Sequence, residues 1–526
     1  MRSTEDRNIE RRLSEFFDKK TETSAGLIKR FGETDPLISS LEYDSRKVMP
    51  GVMFFALPGL HTNGHKFIVN AVKRGATVIV HEIYISDKKP GIVYLNVKNS
   101  RFAMSPIAAS FYGFPSRRLT VCGVTGTEGK STSVYLIWQL LQLLGKKAGF
   151  FSTVQYSDGG EAQRNPEHQT TPEATVVQRR LWEMAENGCS YAVLEASSHG
   201  LSPLTNRLGD VEFDAALFTN MGHEHLEFHG SWEQYRDDKT NLFRALSQHK
   251  AKKTTIEPFG VVNADDPSAG YFASFIDNKY SFSVNGKDAT LILKMIESNA
   301  QGNWYNVFIP KENLFFNIRD LLPGAFNAGN VLGALLVVSG LTGLEVQEIS
   351  KLCPQLIPVR GRMTQINKGQ DFEVIVDYAH TPSSFEAIFP PLRKRLSKSV
   401  GRIISLFGSA GERDTKKRSE QGKTAAAFSD IIILTDEDPR EENPIAILEE
   451  IALGVESAET ASFKRDKNLF LIPDRPKAIR KAMSLARAGD LVLLLGKGHE
   501  NSIIYNDRVM PYDEIAEAEK ALAEMK

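Results

Sequence analysis

Apolar residues along this chain gather into short continuous runs that stop at glycine-rich or polar turns, and the stretches between those runs carry apolar residues at helical spacing. That alternation predicts buried parallel strands joined by helices. "VMFFALPG" and "ATVIVHE" read as strands flanking a helical stretch near "GHKFIVNAVKRGA", a small α/β unit. After "YGFPSRR" come "LTVCGVTG" and "STSVYLIWQLLQLLG", a strand, a glycine loop and a buried helix. The strands "SYAVLEASSHG" and "FDAALFTNMGHEH" and the helix-like "AGNVLGALLVVSGL" extend the same sheet. A break near "CPQLIPVRGR" precedes "FEVIVDYAH", "RIISLFGSAGERD", "DIIILTDEDPR" and "DLVLLLGKGHE", the repeating strand-then-loop pattern of a second doubly wound domain. Chemistry is expected at the carboxyl ends of these strands. The expected division is a helical extension over 1–40, a small domain over 41–115, a central domain over 116–357 and a last domain over 358–526.

Composition narrows the function classes. A chain of 526 residues has room for several cores, and 64 Lys plus Arg against 65 Asp plus Glu, a net charge of -1, supply no basic footprint for nucleic acid. The cysteines Cys122, Cys189 and Cys353 form no CxxC pair and read as core residues of a reducing compartment. A charged N-terminus and the lack of a long apolar segment predict a cytoplasmic protein without a membrane span.

"GVTGTEGKST", Gly123 to Thr132, holds the most specific chemistry. Its spelling is G-x-x-G-x-x-G-K-S, with Val124 where the strict phosphate loop has glycine. Glycines let backbone N–H groups converge on phosphate oxygens, Lys130 adds a point charge, and the Ser131 hydroxyl suits Mg²⁺. Glu128 is expected to point outward or to order metal-bound water. Glu195, ending "YAVLE", is placed for a magnesium ligand or for a buried structural pair. His223, His225 and His229 fall within "HEHLEFH", but the spacing and the lack of a nearby cysteine make zinc the weaker reading. Lys239 by itself reads as a solvated helix lysine.

Taken in order, "TGTEGKST", "LEASSHGL", "FTNMGHEHLEFHG", "GAFNAGN", "GRM", "DYAHTP", "FGSAGERD" and "GKGHE" resemble the Mur ligases, over about Tyr43 to Glu500. The branch resembled is the one that adds the third, usually diamino, acid to UDP-N-acetylmuramoyl-L-Ala-D-Glu in peptidoglycan precursor synthesis. The resemblance implies three α/β domains: an N-terminal one for the uridine nucleotide, a central P-loop-type ATPase with a mostly parallel sheet, and a C-terminal Rossmann-like one for the amino acid. It implies ATP and Mg²⁺ as cofactors, an acyl-phosphate intermediate, the UDP-N-acetylmuramoyl dipeptide and a diamino acid as partners, and a monomer.

By the same resemblance, Gly126, Thr127, Glu128, Gly129, Lys130, Ser131 and Thr132 hold the ATP phosphates. Asn330 contacts adenine, and Arg362, Asp377 and His380 complete the nucleotide site. Ser131, Glu195, His225 and Lys239 serve the metals, Lys239 as a carbamate. Ser45, Thr170, Thr171, Ser198 and Arg207 hold the uridine-linked substrate. Arg413, Glu437, Asp438, Arg440, Gly496 and Glu500 hold the incoming amino acid. The chain departs from the family with Glu128 for the usual Asn, with Glu224 and Glu227 for aspartates, and with Glu437-Asp438-Pro439-Arg440 for D-N-P-R. Retention of Arg440 favours meso-diaminopimelate narrowly, because an arginine pairs with its distal carboxylate; Asp438 beside it leaves L-lysine or L-ornithine open. The competing expectations are another carboxylate–amine ligase such as a folylpolyglutamate synthetase, and a nucleotide-binding partner without catalysis.

Overall fold

A computed structural model describes residues 9–59, 63–167, 169–222, 226–248, 252, 256–299, 302–325, 327–396, 401–412, 414–458 and 463–525. The chain divides into two compact units, one of Met1–Lys294, Val307–Phe316 and Gly329–Leu352, the other of Met295–Asn306, Asn317–Ala328 and Cys353–Lys526.

The first unit contains a five-stranded sheet in the order Leu27–Phe31, Val93–Val97, Ala76–His81, Val52–Phe55, Ser40–Glu42. Its strands run parallel except Leu27–Phe31, which lies antiparallel to Val93–Val97. This corrects the helical extension expected over 1–40. Among its described residues only the short helices Leu13–Phe16 and Lys19–Ser24 form, and Leu13, Phe16, Phe17 and Ile38 are buried in the core of this sheet. The edge strand "LIKRF" carries an exposed Lys29 and a half-buried Arg30, charges common on an open edge, and they mask its strand character.

The second sheet places Ala148–Phe151, Tyr191–Glu195, Thr120–Thr125, Ala215–Phe218, Phe259–Asn263 and Lys279–Ser283 side by side, all parallel. Thr120–Thr125 lies between Tyr191–Glu195 and Ala215–Phe218, so the loop after Thr125 emerges between the ends of both neighbours. Such a loop position is where α/β sheets bind ligands. The helix Ser100–Phe111 of the first sheet meets the second sheet's layer through polar contacts, Asn206 Nδ2 donating to the Phe102 carbonyl at 3.1 Å and the Asp210 N–H to Ser105 Oγ at 3.2 Å.

The other unit holds a sheet in the order Thr364–Ile366, Glu373–Asp377, Leu491–Leu495, Ile403–Phe407, Ile431–Leu434, Leu469–Leu471, parallel except at Thr364–Ile366. The strands Leu491–Leu495, Ile431–Leu434 and Leu469–Leu471 are apolar at every position, and Ile403–Phe407 at all but Ser405, because both faces are covered. Leu491, Leu493 and Leu495 join one core with residues of the helices Pro382–Leu396, Lys416–Phe428 and Pro444–Glu456, while Val492 and Leu494 join the opposite core with Arg475–Leu485 and Glu514–Glu524. The period-two alternation of a strand therefore feeds two hydrophobic layers. No described helix is long and apolar enough to cross a membrane. All three cysteines are buried and unbridged.

Candidate active site

The strand Thr120–Thr125 passes into the helix Lys130–Leu143 through the glycine loop. Gly126 has φ 145°, and a Cβ there would lie 1.9 Å from Thr219 Oγ1, so the position requires glycine. Asn220 braces the loop from the neighbouring strand end: its carbonyl accepts from the Thr127 N–H at 2.8 Å and its Oδ1 from the Glu128 N–H at 2.9 Å. Thr219 Oγ1 donates to the Glu128 carbonyl at 2.6 Å. Those two N–H groups are engaged, while the first-turn N–H groups of Lys130–Leu143 face the loop as donors to an anion, an arrangement suited to phosphate. Glu128 is exposed.

Ser131 and Glu195 come together behind this loop. Glu195, only 2% exposed at the end of Tyr191–Glu195, accepts on Oε2 from Ser131 Oγ at 2.8 Å, from the Thr153 N–H at 2.7 Å and from Thr153 Oγ1 at 3.1 Å. A hydroxyl and a carboxylate fixed at hydrogen-bond distance are hard oxygen donors, and they fit Mg²⁺, which takes few protein ligands and leaves positions for water and phosphate. Lys130 Nζ donates to the Thr127 carbonyl at 2.6 Å.

Lys239 is not a solvated lysine. It is 1% exposed on the helix Trp232–Gln248, donates to the Gly126 carbonyl at 2.6 Å and sits 4.6 Å from the Tyr235 ring centroid. Tyr235 in turn reaches Thr127 Oγ1 at 3.1 Å. His229 is buried with Nδ1 2.8 Å from Asp238 Oδ2, which accounts for it as a packed histidine. His223 and His225 lie outside the described residues, as do Glu224 and Arg413. Asn330, on Asn327–Thr342, accepts from Ser133 Oγ at 3.2 Å and faces Gly129.

Beside this cluster, Thr171 Oγ1 donates to the Glu195 carbonyl at 2.9 Å, and Thr170 Oγ1 accepts from Thr153 Oγ1 at 3.1 Å. Arg207 donates from Nη1 to the Thr171 carbonyl at 2.8 Å and from Nη2 to Glu173 Oε1 at 3.0 Å. Glu173 also pairs with Arg101. Arg207 Nε has no hydrogen-bond partner among the described residues. Ser198 is buried at the start of Ser198–Leu201, and Ser45 is buried after Ser40–Glu42.

In the other unit, Asp377 ends its strand and accepts from the Met363 and Ala379 N–H groups, both at 2.7 Å. Burial pushes its carboxyl above the usual range, against the pull of Arg362. Arg362 lies 4.7 Å from the Tyr378 ring centroid, and His380 Nδ1 is 2.9 Å from the Tyr378 carbonyl. Two loops beyond the strand ends, 435–440 and 496–500, carry a dense set of charges. Lys497, buried, lies 2.9 Å from Asp438 Oδ1 and pairs with Glu500. Burial works against the Lys497 ammonium, but Glu500 and Asp438 outweigh it and hold its pKa up. Burial also raises Glu437 and Glu500. Asp438 further accepts from the Ile504 N–H at 2.9 Å, so its charge is compensated by Lys497 and a backbone donor. Glu437 Oε2 and Arg440 Nε are buried without hydrogen-bond partners among the described residues.

Sequence models of the Mur ligase families match three consecutive stretches: the catalytic-domain model over residues 37–112, the middle domain over 124–338 and the glutamate ligase domain over 361–498. The chain is 52% identical over 516 residues to a UDP-N-acetylmuramyl-tripeptide synthetase of Treponema denticola, covering 94% of this chain and 96% of that one. The chain belongs to the Mur ligase family. Within it, this Mur ligase is of the MurE type and is an ATP-dependent amide ligase of peptidoglycan biosynthesis. It is also 35% identical over 493 residues to a UDP-N-acetylmuramoyl-L-alanyl-D-glutamate–2,6-diaminopimelate ligase of Geobacillus thermodenitrificans, covering 94% of this chain and 96% of that one. A solved structure of a ligase with that name superposes with TM-score 0.59 at 26% identity, over 93% of this chain and 95% of that one.

Several residues of this cluster are not singled out by the sequence. Thr153 emerges from its bonds to Glu195 and Thr170, and Glu173 from its bonds to Arg207 and Arg101. Asn220 and Thr219 stand in "FTNMG", where a polar pair directly after an apolar strand was the available clue.

Proposed function

We propose that this Mur ligase adds a diamino acid as the third residue to UDP-N-acetylmuramoyl-L-Ala-D-Glu, with meso-diaminopimelate favoured over L-lysine and L-ornithine. The observation that carries the preference is Arg440 Nε, a buried guanidinium donor without a partner among the described residues. A buried donor of this kind gains most from a carboxylate, and the distal carbon of meso-diaminopimelate bears one beside an ammonium. Glu437 Oε2, on the same loop and equally unpaired among the described residues, suits that ammonium. The second reading rests on Glu437 alone: L-lysine or L-ornithine would satisfy it and leave Arg440 unpaired.

The domain roles follow: 41–115 for the uridine nucleotide, 116–357 for ATP and 358–526 for the amino acid. The loop from Gly126 to Thr132 takes the phosphates at the first-turn N–H groups of the helix Lys130–Leu143, and the Lys130 ammonium neutralises the transferring group. Asn330, Arg362, Asp377 and His380 are assigned to the rest of the nucleotide. Ser131 and Glu195 hold Mg²⁺, which when bound supplies positive charge to the phosphates. Arg207, with Ser45, Thr170, Thr171 and Ser198, orients the uridine-linked substrate. Its terminal carboxylate attacks the γ-phosphorus and ADP leaves. The amino group of the incoming acid then attacks the acyl phosphate, loses its proton and expels phosphate as the amide forms. Arg413 and Glu500 are assigned to the α-carboxylate and an amino group of that acid, with Gly496 leaving room beside Glu437. ATP and a uridine nucleotide as substrates put the reaction in the cytoplasm.

Lys239 is proposed to react with CO₂, its neutral amine forming an N–C bond and releasing a proton. The resulting carbamate is an anion that, with His225, serves a second metal. A gain of the mass of one CO₂ in native spectrometry and a dependence of turnover on bicarbonate are expected; full activity without bicarbonate and no mass gain would remove the modification. For the amino acid, Arg440→Ala is expected to raise the KM for meso-diaminopimelate by about 10- to 100-fold, the equivalent of one charge-assisted contact. An unchanged KM would pass the preference to L-lysine or L-ornithine.

A further inference from the structure

The amino-acid loops are tied to each other by a network that none of the roles above uses. Gly411, in the loop after Ile403–Phe407, donates its N–H to the Asp438 carbonyl at 2.8 Å. A Cβ on Gly411 would lie 2.0 Å from the Pro439 carbonyl oxygen, so the two loops meet backbone to backbone. One residue on, the Glu412 N–H donates to Glu442 Oε1 at 2.5 Å, and Glu442 follows directly on the loop that carries Arg440. Both loops hold a non-glycine residue in the left-handed region, Glu412 at φ 53° and Arg440 at φ 56°. Such conformations persist only where the surroundings over-determine them.

The carboxylate between the loops is itself held from beneath. Arg418, on the helix Lys416–Phe428 and 1% exposed, grips Glu442 bidentately, Nη2 to Oε1 and Nη1 to Oε2, both at 2.9 Å. Its Nη2 also donates to the Ala410 carbonyl at 3.3 Å, in the first loop again, and Nη1 reaches Glu450 Oε2 at 3.0 Å on the neighbouring helix Pro444–Glu456. One guanidinium thus contacts the loop before Arg413 and, through Glu442, the loop that carries Arg440. Those hydrogen bonds to Arg418 keep the Glu442 carboxyl below its ordinary range, so it stays an acceptor.

We propose that Arg418 and Glu442 form a latch that sets the spacing of the two amino-acid loops, Arg418 acting as a positioning residue for selection of the diamino acid. The proposal rests on the reading that these loops bind that acid. Glu450 supplies the internal control: it pairs with the same guanidinium but touches neither loop, so a purely structural role for Arg418 predicts similar effects from Glu442 and Glu450.

The test compares Glu442→Gln, Arg418→Lys, Glu450→Gln and Arg440→Ala by steady-state kinetics, varying ATP, the UDP-dipeptide, and meso-diaminopimelate, L-lysine or L-ornithine. Glu442→Gln and Arg418→Lys are expected to raise the KM of the amino acid used about tenfold, the scale of one charge-assisted hydrogen bond, while the KM for ATP stays within about twofold. Glu450→Gln is expected to stay within about twofold for every substrate. Because Glu442 is partly exposed, Glu442→Gln keeps the test available if Arg418→Lys does not fold. Arg440→Ala raising the amino-acid KM while Glu442→Gln does not would overturn the latch and spare the reading of the site. Arg440→Ala without effect for any of the three acids would overturn both. Equal shifts from Glu442→Gln and Glu450→Gln, or shifts shared by all three substrates, would reduce the network to general stability and overturn the latch.

Discussion

Arg475 is a place where the stability of the C-terminal unit can be worked out from contacts. It is fully buried at the start of Arg475–Leu485, with Nε 2.8 Å and Nη2 2.6 Å from the carboxylate of Glu514, which is equally buried. The same guanidinium donates to the Asp436 carbonyl at 3.0 Å and the Leu495 carbonyl at 2.6 Å, at or just past the ends of the strands Ile431–Leu434 and Leu491–Leu495. Arg475→Met keeps most of the volume but strands a buried carboxylate and two carbonyls. Breaking one side of a buried pair costs about 3–5 kcal/mol, and the stranded carbonyls overlap with that figure rather than adding to it in full. For a unit of this size each kcal/mol is worth roughly 2–4 °C, so calorimetry of the whole chain should show the transition of this unit about 6–20 °C lower. Arg475→Met combined with Glu514→Leu removes the uncompensated charge and should recover more than half of the loss. A drop below about 2 °C, or a double variant no better than the single one, would refute the argument that the pair is held by mutual compensation.

Glu195→Gln keeps the shape and an acceptor for Ser131 and Thr153 but removes the charge, so turnover should fall by about 100-fold or more while the melting temperature moves little; a turnover within about threefold of the parent would exclude the carboxylate from the metal role. Burial pushes Asp436 from its ordinary 3.8 up to about 6. The folded chain therefore keeps this proton where the unfolded chain has lost it, and the group costs stability progressively as pH rises from 3.8 to about 6. Asp436→Asn should gain stability relative to the parent across that window, read as the difference between their melting temperatures; a difference that is flat with pH would contradict the assignment.

Legibility followed how local the cause was. The continuous apolar runs revealed the central and C-terminal strands because burial on both faces leaves no polar positions to blur them, as in "LVLLL". The edge strand Leu27–Phe31 was missed for the opposite reason: only its neighbour across the sheet explains why a charged segment is extended. That Ser131 and Glu195 lie near each other is legible because each sits at a strand end or loop whose chemistry is written in nearby residues. Lys239 reads as a surface lysine until the glycine loop is folded over it. Asp438 was expected to weigh on Arg440, but Lys497, distant in sequence, takes up its charge. Arg418 and Arg475 were invisible for the same cause, since each bridges loops that meet only in the folded sheet.

The most direct test of the account is ADP release by the purified protein with ATP, Mg²⁺, bicarbonate and UDP-N-acetylmuramoyl-L-Ala-D-Glu, adding meso-diaminopimelate, L-lysine or L-ornithine in turn. Release that requires both the UDP-dipeptide and one diamino acid, greatest with meso-diaminopimelate, is the predicted result. Strong release with L-lysine or L-ornithine alone would contradict the role given to Arg440, and no release with any of the three would contradict the assignment of a diamino acid as the third residue.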